Sequence, residues 1–211
     1  MTKKVEFVFL ADVSGSMYGT KIASVNAVLN ECIAELKQIG QNMSGYDIEV
    51  SVFGFAESMK TYSMCEKIAS VESPVLKVEK HADGFYMLTS FTCLYEGITK
   101  LFKEKYIDDG EDGINTFVIL ITDGKAVDSD EYEFAYDQAK ACSAFRKAAK
   151  YVGFADESAD KYNQETVKFV EYQANRICSL IDLPMEINNL QMTYFTDLSR
   201  NTPDTGSDIF V

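Results

Sequence analysis

Asp12, Ser14 and Ser16 alternate with Val13 and Gly15 directly after the apolar run Phe7-Val8-Phe9-Leu10-Ala11. One carboxylate and two hydroxyls on a tight turn can aim three oxygens at one point. Hard oxygen donors of low total charge suit Mg2+, which takes about six ligands and keeps waters among them. Gly15 relieves such a turn of steric limits on its backbone. Other chemistries need residues that stand elsewhere or not at all. An EF-hand loop beginning at Asp12 requires Gly where Met17 stands and Glu where Ala23 stands. A Walker A loop requires Lys directly after its second Gly, and Thr20 separates Gly19 from Lys21. A phosphatase-type aspartyl nucleophile expects a second acid two residues on, where Ser14 lies, and a Gly-x-Ser-x-Gly elbow expects glycine where Asp12 lies. The plainest competitor is a turn whose side chains only cap the following helix.

A second junction of the same kind follows later. Residues 115–122, NTFVILIT, are the most continuous apolar run in the chain, as expected of a strand buried on both faces, and Asp123-Gly124 come next. Parallel strands ending on one side of a sheet would bring Asp123 close to Asp12. Between the two junctions lie Thr89, Ser90 and Thr92, at the start of a helix whose buried stripe is Leu94, Ile98, Leu101 and Phe102. Capping that helix is the ordinary task of a threonine there.

In this order, Asp12-Val13-Ser14-Gly15-Ser16 after a first strand, a threonine loop, then Asp123-Gly124 after a later strand, the chain resembles the von Willebrand factor A (VWA) domains and their metal-ion-dependent adhesion site. The resemblance implies that Asp12, Ser14, Ser16, Thr92 and Asp123 hold a divalent cation, Mg2+ or an ion such as Mn2+ or Ca2+. Thr92-Cys93-Leu94 matches the family's Thr-x-Leu register, with Thr89 and Ser90 as alternatives in the same loop. The family's frequent glycines before that threonine are replaced by Ser90 and Phe91. The resemblance further implies a protein-binding adaptor whose partner offers an Asp or Glu carboxylate to the ion. Within the family, Asp12 to Met17 and Ile121 to Lys125 are most similar to the cytosolic TerY-like proteins of bacterial tellurium resistance, a stress-resistance setting. A phosphoryl-transfer or hydrolytic enzyme using the same ion is the alternative. Against turnover stands the lack of a paired acid, histidine or cysteine beside these residues to move protons.

The elements that must position these groups alternate. Ile22, Val25, Leu29, Cys32, Ile33, Leu36 and Ile39 recur at helical spacing over residues 21–39, and Gly40 is expected to end that helix. Residues 47–56 read as a strand and 61–65 as a short one, which in the family is an antiparallel edge. Residues 68–84 read as loop, and the acidic stretch 106–113 as an exposed turn. Helices are expected over 131–147, 164–174 and 185–198, and strands over 151–155 and 177–181. Strands alternating with helices imply a three-layer, Rossmann-like α/β fold, its central sheet mostly parallel with helices on both faces. The expected domain covers residues 1–199 and leaves 200–211 as a tail.

Composition narrows the function further. A chain of 211 residues with 46% hydrophobic content builds one well-buried domain. Its 33 acidic and 20 basic side chains give a net charge of -13, which repels phosphate backbones and anionic membranes, so neither nucleic acid nor membrane is an expected partner. Five scattered cysteines without a Cys-x-x-Cys pair read as buried free thiols in a reducing cytoplasm. No run approaches transmembrane length, and the apolar run bracketed by Glu6 and Asp12 is too short for a signal peptide, which also points to the cytoplasm. The only histidine, His81, lies between Lys80 and Asp83 and reads as a surface residue without a role.

Overall fold

The computed structural model describes residues 3–105, 115–124, 126–128, 132–155 and 174–190. The apolar runs become strands. β1 (Lys3–Asp12) lies in the middle of the sheet, parallel to β2 (Tyr46–Phe55) on one side and to β4 (Asn115–Thr122) on the other. Beyond β4 come β5 (Ala149–Phe154) and β6 (Ala174–Ser179), also parallel, and beyond β2 comes β3 (Met59–Lys67), antiparallel. The order is β3-β2-β1-β4-β5-β6. This is the mostly parallel sheet with one antiparallel edge strand expected of the fold class.

Side chains along β1 alternate between two separate apolar layers. Phe7, Phe9 and Ala11 pack with α1 (Thr20–Asn42) and α5 (Leu183–Leu190), whereas Val8 and Leu10 pack with α2 (Phe91–Lys105), α3 (Glu133–Ala141) and α4 (Ser143–Lys147). Phe7 stacks on Phe117 of β4 at 4.7 Å between ring centroids. Each large apolar side chain buried this way contributes about 1.5–3 kcal/mol before the entropy of ordering is charged against it.

Several boundaries differ from the expected ones. Gly40 lies inside α1, which runs on to Asn42. A Cβ on Gly40 would meet Ile68 Cγ2 at 3.1 Å, so glycine there serves close packing and not termination. The expected single helix over 131–147 is broken at Cys142, which is extended at φ -70°, ψ 115°. The break turns α4 so that Phe145 meets Phe102 edge-on at 5.6 Å, and neither Pro nor Gly marks it. β3 is longer than residues 61–65, and β6 begins at Ala174, where a helix was expected to end. A 3-10 turn (Leu180–Asp182) then leads into α5 earlier than residue 185. The acidic stretch 106–113, the expected helix over 164–173, residues 191–198 and the tail 200–211 lie outside the described residues.

The site is positioned by topology. β1 leads through α1 to β2 on one side, while β4 and its successors lie on the other, so the connections diverge at the C-terminal ends of β1 and β4. Crevices at such switch points are where open α/β sheets bind ligands. β3 runs back along β2, pairing Met59 with Phe55 and Lys67 with Glu49, which leaves the chain at the wrong end of the sheet. Residues 68–90 return it across α1, anchored where Asn26 Nδ2 donates to the Leu76 carbonyl (3.0 Å) and Leu76 N–H donates to Asn26 Oδ1 (2.7 Å).

Candidate functional site

Asp12 ends β1 with its carboxylate fully buried. Ser14 N–H donates to Oδ1 at 2.9 Å, the local turn that an Asp-x-Ser sequence favours, and Thr122 Oγ1–H at the end of β4 donates to Oδ2 at 2.8 Å. Thr89 Oγ1–H donates to Ser14 Oγ at 2.7 Å and lies 3.5 Å from Asp12 Oδ2. Ser14 Oγ is in turn 3.1 Å from Ser16 Oγ. Desolvation pushes the Asp12 carboxyl up to about pH 6 and the charge of Asp123 adds to this, against the hydrogen bonds from Ser14 and Thr122.

Asp123 follows β4 and is almost wholly buried. Lys21, in the first turn of α1, places Nζ 2.8 Å from Asp123 Oδ2. The end of the sheet thus gathers two carboxylates, four hydroxyls and one ammonium paired to a carboxylate.

Four of the expected residues, Asp12, Ser14, Ser16 and Asp123, lie at this end of the sheet. Thr92 is placed differently from the expected register. α2 starts at Phe91, so Thr92 lies within its first turn and its N–H donates to Asp128 Oδ2 at 2.8 Å. Phe91 N–H and Ser90 Oγ–H also donate to Asp128, at 2.9 and 2.7 Å. Burial opposes ionisation of Asp128, but the bonds from Thr92, Ser90 and Phe91 outweigh it and hold the carboxyl below its usual range. Ser90 is therefore engaged as well, and the hydroxyl that reaches Ser14 is that of Thr89, just ahead of the helix. Thr122 and Lys21 were not singled out in the sequence. A signal for Thr122 is its place directly before Asp123; nothing local marks Lys21.

Gly15 has a different use from the one expected. A Cβ there would lie 2.6 Å from Tyr86 Cβ, so glycine lets residues 86–87 close over the turn, where Gly15 N–H donates to the Met87 carbonyl at 2.8 Å. His81 is exposed and pairs with Glu57 at 3.3 Å. All five cysteines are free, but only Cys32 is fully buried, the others being partly exposed.

The donor set fits a hard divalent cation. Every oxygen in it is a carboxylate or hydroxyl; among the described residues no group of three or more His, Cys, Asp or Glu side chains gathers to hold a metal ion by itself, so an ion here would rely on the hydroxyls beside Asp12 and Asp123. Among those residues no helix is long and apolar enough to cross a membrane.

No curated protein matches the chain in sequence. Among solved structures, a von Willebrand factor type A protein from Catenulispora acidiphila is similar with a TM-score of 0.56 and 12% identity, over 90% of this chain and 42% of that one. An aerotolerance-related membrane protein from Bacteroides fragilis, carrying multiple mutations to serines, has a TM-score of 0.48 and 12% identity over 93% and 99% of the two chains. Proximal thread matrix protein 1 of the mussel byssus has a TM-score of 0.49 and 14% identity over 90% and 47%. The Catenulispora likeness supports the fold. Residues 6–170 match the von Willebrand factor type A domain, so the chain belongs to that family, whose members often mediate protein interactions and are generally not catalysts.

Proposed function

We propose that this chain is a metal-dependent protein-binding module, in which Asp12, Ser14, Ser16, Thr89 and Asp123 hold one divalent cation, Mg2+ first among the candidates, directly or through water. The observation that carries the reading is the contact of Thr89 with Ser14 and Asp12 at the switch point, which joins the Asp12 turn and the loop before α2 through hard oxygen donors, with Thr122 tying the end of β4 to the same carboxylate. When bound, the ion would supply an electrophilic position that a partner's Asp or Glu completes. Asp12 contributes the charge, and the hydroxyls contribute neutral donors that leave the ion short of full neutralisation. Lys21 offsets part of the Asp123 charge and so works in the same direction. The neighbours of Asp12 are hydroxyls, carboxylates and the paired Lys21, which supports binding over turnover. The resemblance of Asp12 to Met17 and Ile121 to Lys125 to TerY-like proteins supports a cytoplasmic, bacterial stress-resistance or signalling role.

Calorimetry with Mg2+ should show one site per chain in the wild type and none in Asp12→Ala. Partner capture should fail in excess chelator and return with added Mg2+. Equal affinity of wild type and mutant for the ion, or a complex indifferent to chelator, would sink the metal bridge.

A further inference from the structure

Beside the Asp12 turn lies an open groove of about 350 Å³. Tyr18, Ile22, Val78 and Tyr86 give it an apolar wall, and Lys77 and Lys80 stand on its rim. Tyr18 is 66% exposed and its ring lies 5.2 Å from that of Tyr86, which packs between Gly15 and Lys80. The wall is formed by the returning segment: Glu79 N–H donates to the Val13 carbonyl, Met87 N–H to the Glu79 carbonyl, and Lys80 bridges to Tyr86 in antiparallel fashion. Because Gly15 packs under Tyr86, groove and turn form one continuous surface.

Charge says what such a groove takes. In a chain of net charge -13, Lys77 and Lys80 are exposed and neither is paired with an acid among the described residues. Lys80 Nζ instead sits 4.4 Å over the Tyr86 ring, which holds the ammonium at the groove's edge. The nearest acid in sequence, Glu79, is turned away to Lys60 and Tyr62. A volume near the low end of ligand pockets, about 300–1,000 Å³, fits one or two side chains of a peptide better than a bulky cofactor.

We propose that this groove is the second half of the partner-binding surface: it takes a large apolar side chain of an acidic peptide segment, with a further Asp or Glu of that segment meeting Lys77 and Lys80. The inference rests on the metal reading, since the segment's other acid would complete the ion at Asp12. The apolar contact supplies affinity, while the exposed ion pairs steer and orient, because rim charges act more on encounter and register than on strength.

The test is a library of ten-residue peptides with a fixed central Asp, the flanking positions drawn from Gly, Ser, Leu, Phe, Asp and Lys, selected on the full chain in Mg2+. Leu or Phe together with a second Asp should be enriched over Gly, Ser and Lys. A selected peptide should bind tenfold or more weakly to Tyr86→Ser, and a few-fold more weakly with slower association to the double variant Lys77→Ser, Lys80→Ser, with Mg2+ affinity by calorimetry unchanged in the latter. The exposed lysines keep the test valid if Tyr86→Ser melts early by circular dichroism. Peptides that need Mg2+ but show no flanking preference, or bind the lysine double variant as well as wild type, overturn the groove and leave the metal site standing. Peptides with the preference, sensitive to the lysines but indifferent to chelator and to Asp12→Ala, uphold the groove and remove the metal bridge. A selection that enriches nothing overturns the groove.

Discussion

Asp12 is already satisfied before any cation arrives, by Ser14 N–H and Thr122 Oγ1–H, and Thr89 and Ser14 satisfy each other. Hydroxyls can rotate their protons away and turn lone pairs inward, so the same groups serve both states at little conformational cost. The two threonines of the α2 loop therefore differ in use. Thr89→Ala should weaken Mg2+ binding about tenfold or more, about 1.4 kcal/mol or above, whereas Thr92→Ala should change it little, because Thr92 lies inside α2 and its buried hydroxyl makes no hydrogen bond to Asp12 or Ser14. Calorimetry on both variants checks this, and the opposite ranking would restore Thr92 as the ligand. The two strand-to-acid junctions were legible in the sequence, because an acid directly after an apolar run is a local pattern. Which hydroxyl joins them was not, since that depends on where α2 starts. The pairing of Lys21 with Asp123, 102 residues apart, has no local signal at all.

At the scale of elements, Asp128 decides where α2 begins. It accepts from Phe91 and Thr92 N–H and from Ser90 Oγ–H, acting as a cap contributed by a distant loop, and its negative charge suits the helix N-terminus. Replacing it by Ala should cost about 0.5–2 kcal/mol, as the loss of a capping side chain does. The folded carboxyl titrates below its ordinary value of 3.8, so this stabilisation is complete above that pH and is lost as pH falls through the lower folded value. Urea unfolding should therefore show a gap between wild type and Asp128→Ala at pH 7 that narrows toward pH 3, and a gap that widens in acid would contradict the cap. Strands β1 and β4 were legible as apolar runs, and β2 by its β-branched and aromatic residues. The break at Cys142 was not, because it follows from the fit of Phe145 against Phe102 and not from any helix-stopping residue.

For the whole molecule, an ion that binds only the folded chain stabilises all of it. At 100 times its Kd the gain is about 2.7 kcal/mol, and at roughly 2–4 °C per kcal/mol for a domain of this size the melting temperature should rise by about 5–10 °C. Mg2+ should produce that rise in the wild type and not in Asp12→Ala. NaCl matched in ionic strength separates it from general screening of the -13 charge, and a shift equal in both proteins would mean screening alone. The antiparallel edge strand has a further consequence. A parallel strand in its place would have ended beside Asp12, whereas β3 ends at the far side and obliges residues 68–90 to travel the full height of the sheet. That detour contributes no strand to the sheet, yet it supplies both the lid over Gly15 and the lysine-rimmed wall. Partner choice is thereby written mostly on residues 68–88, and ion chemistry on the turns around Asp12, Thr89 and Asp123. Residues 68–88 can drift in sequence, so long as Leu76 keeps its hold on Asn26 and Thr89 its contact with Ser14, and change what the surface selects while the oxygen cluster beneath stays as it is.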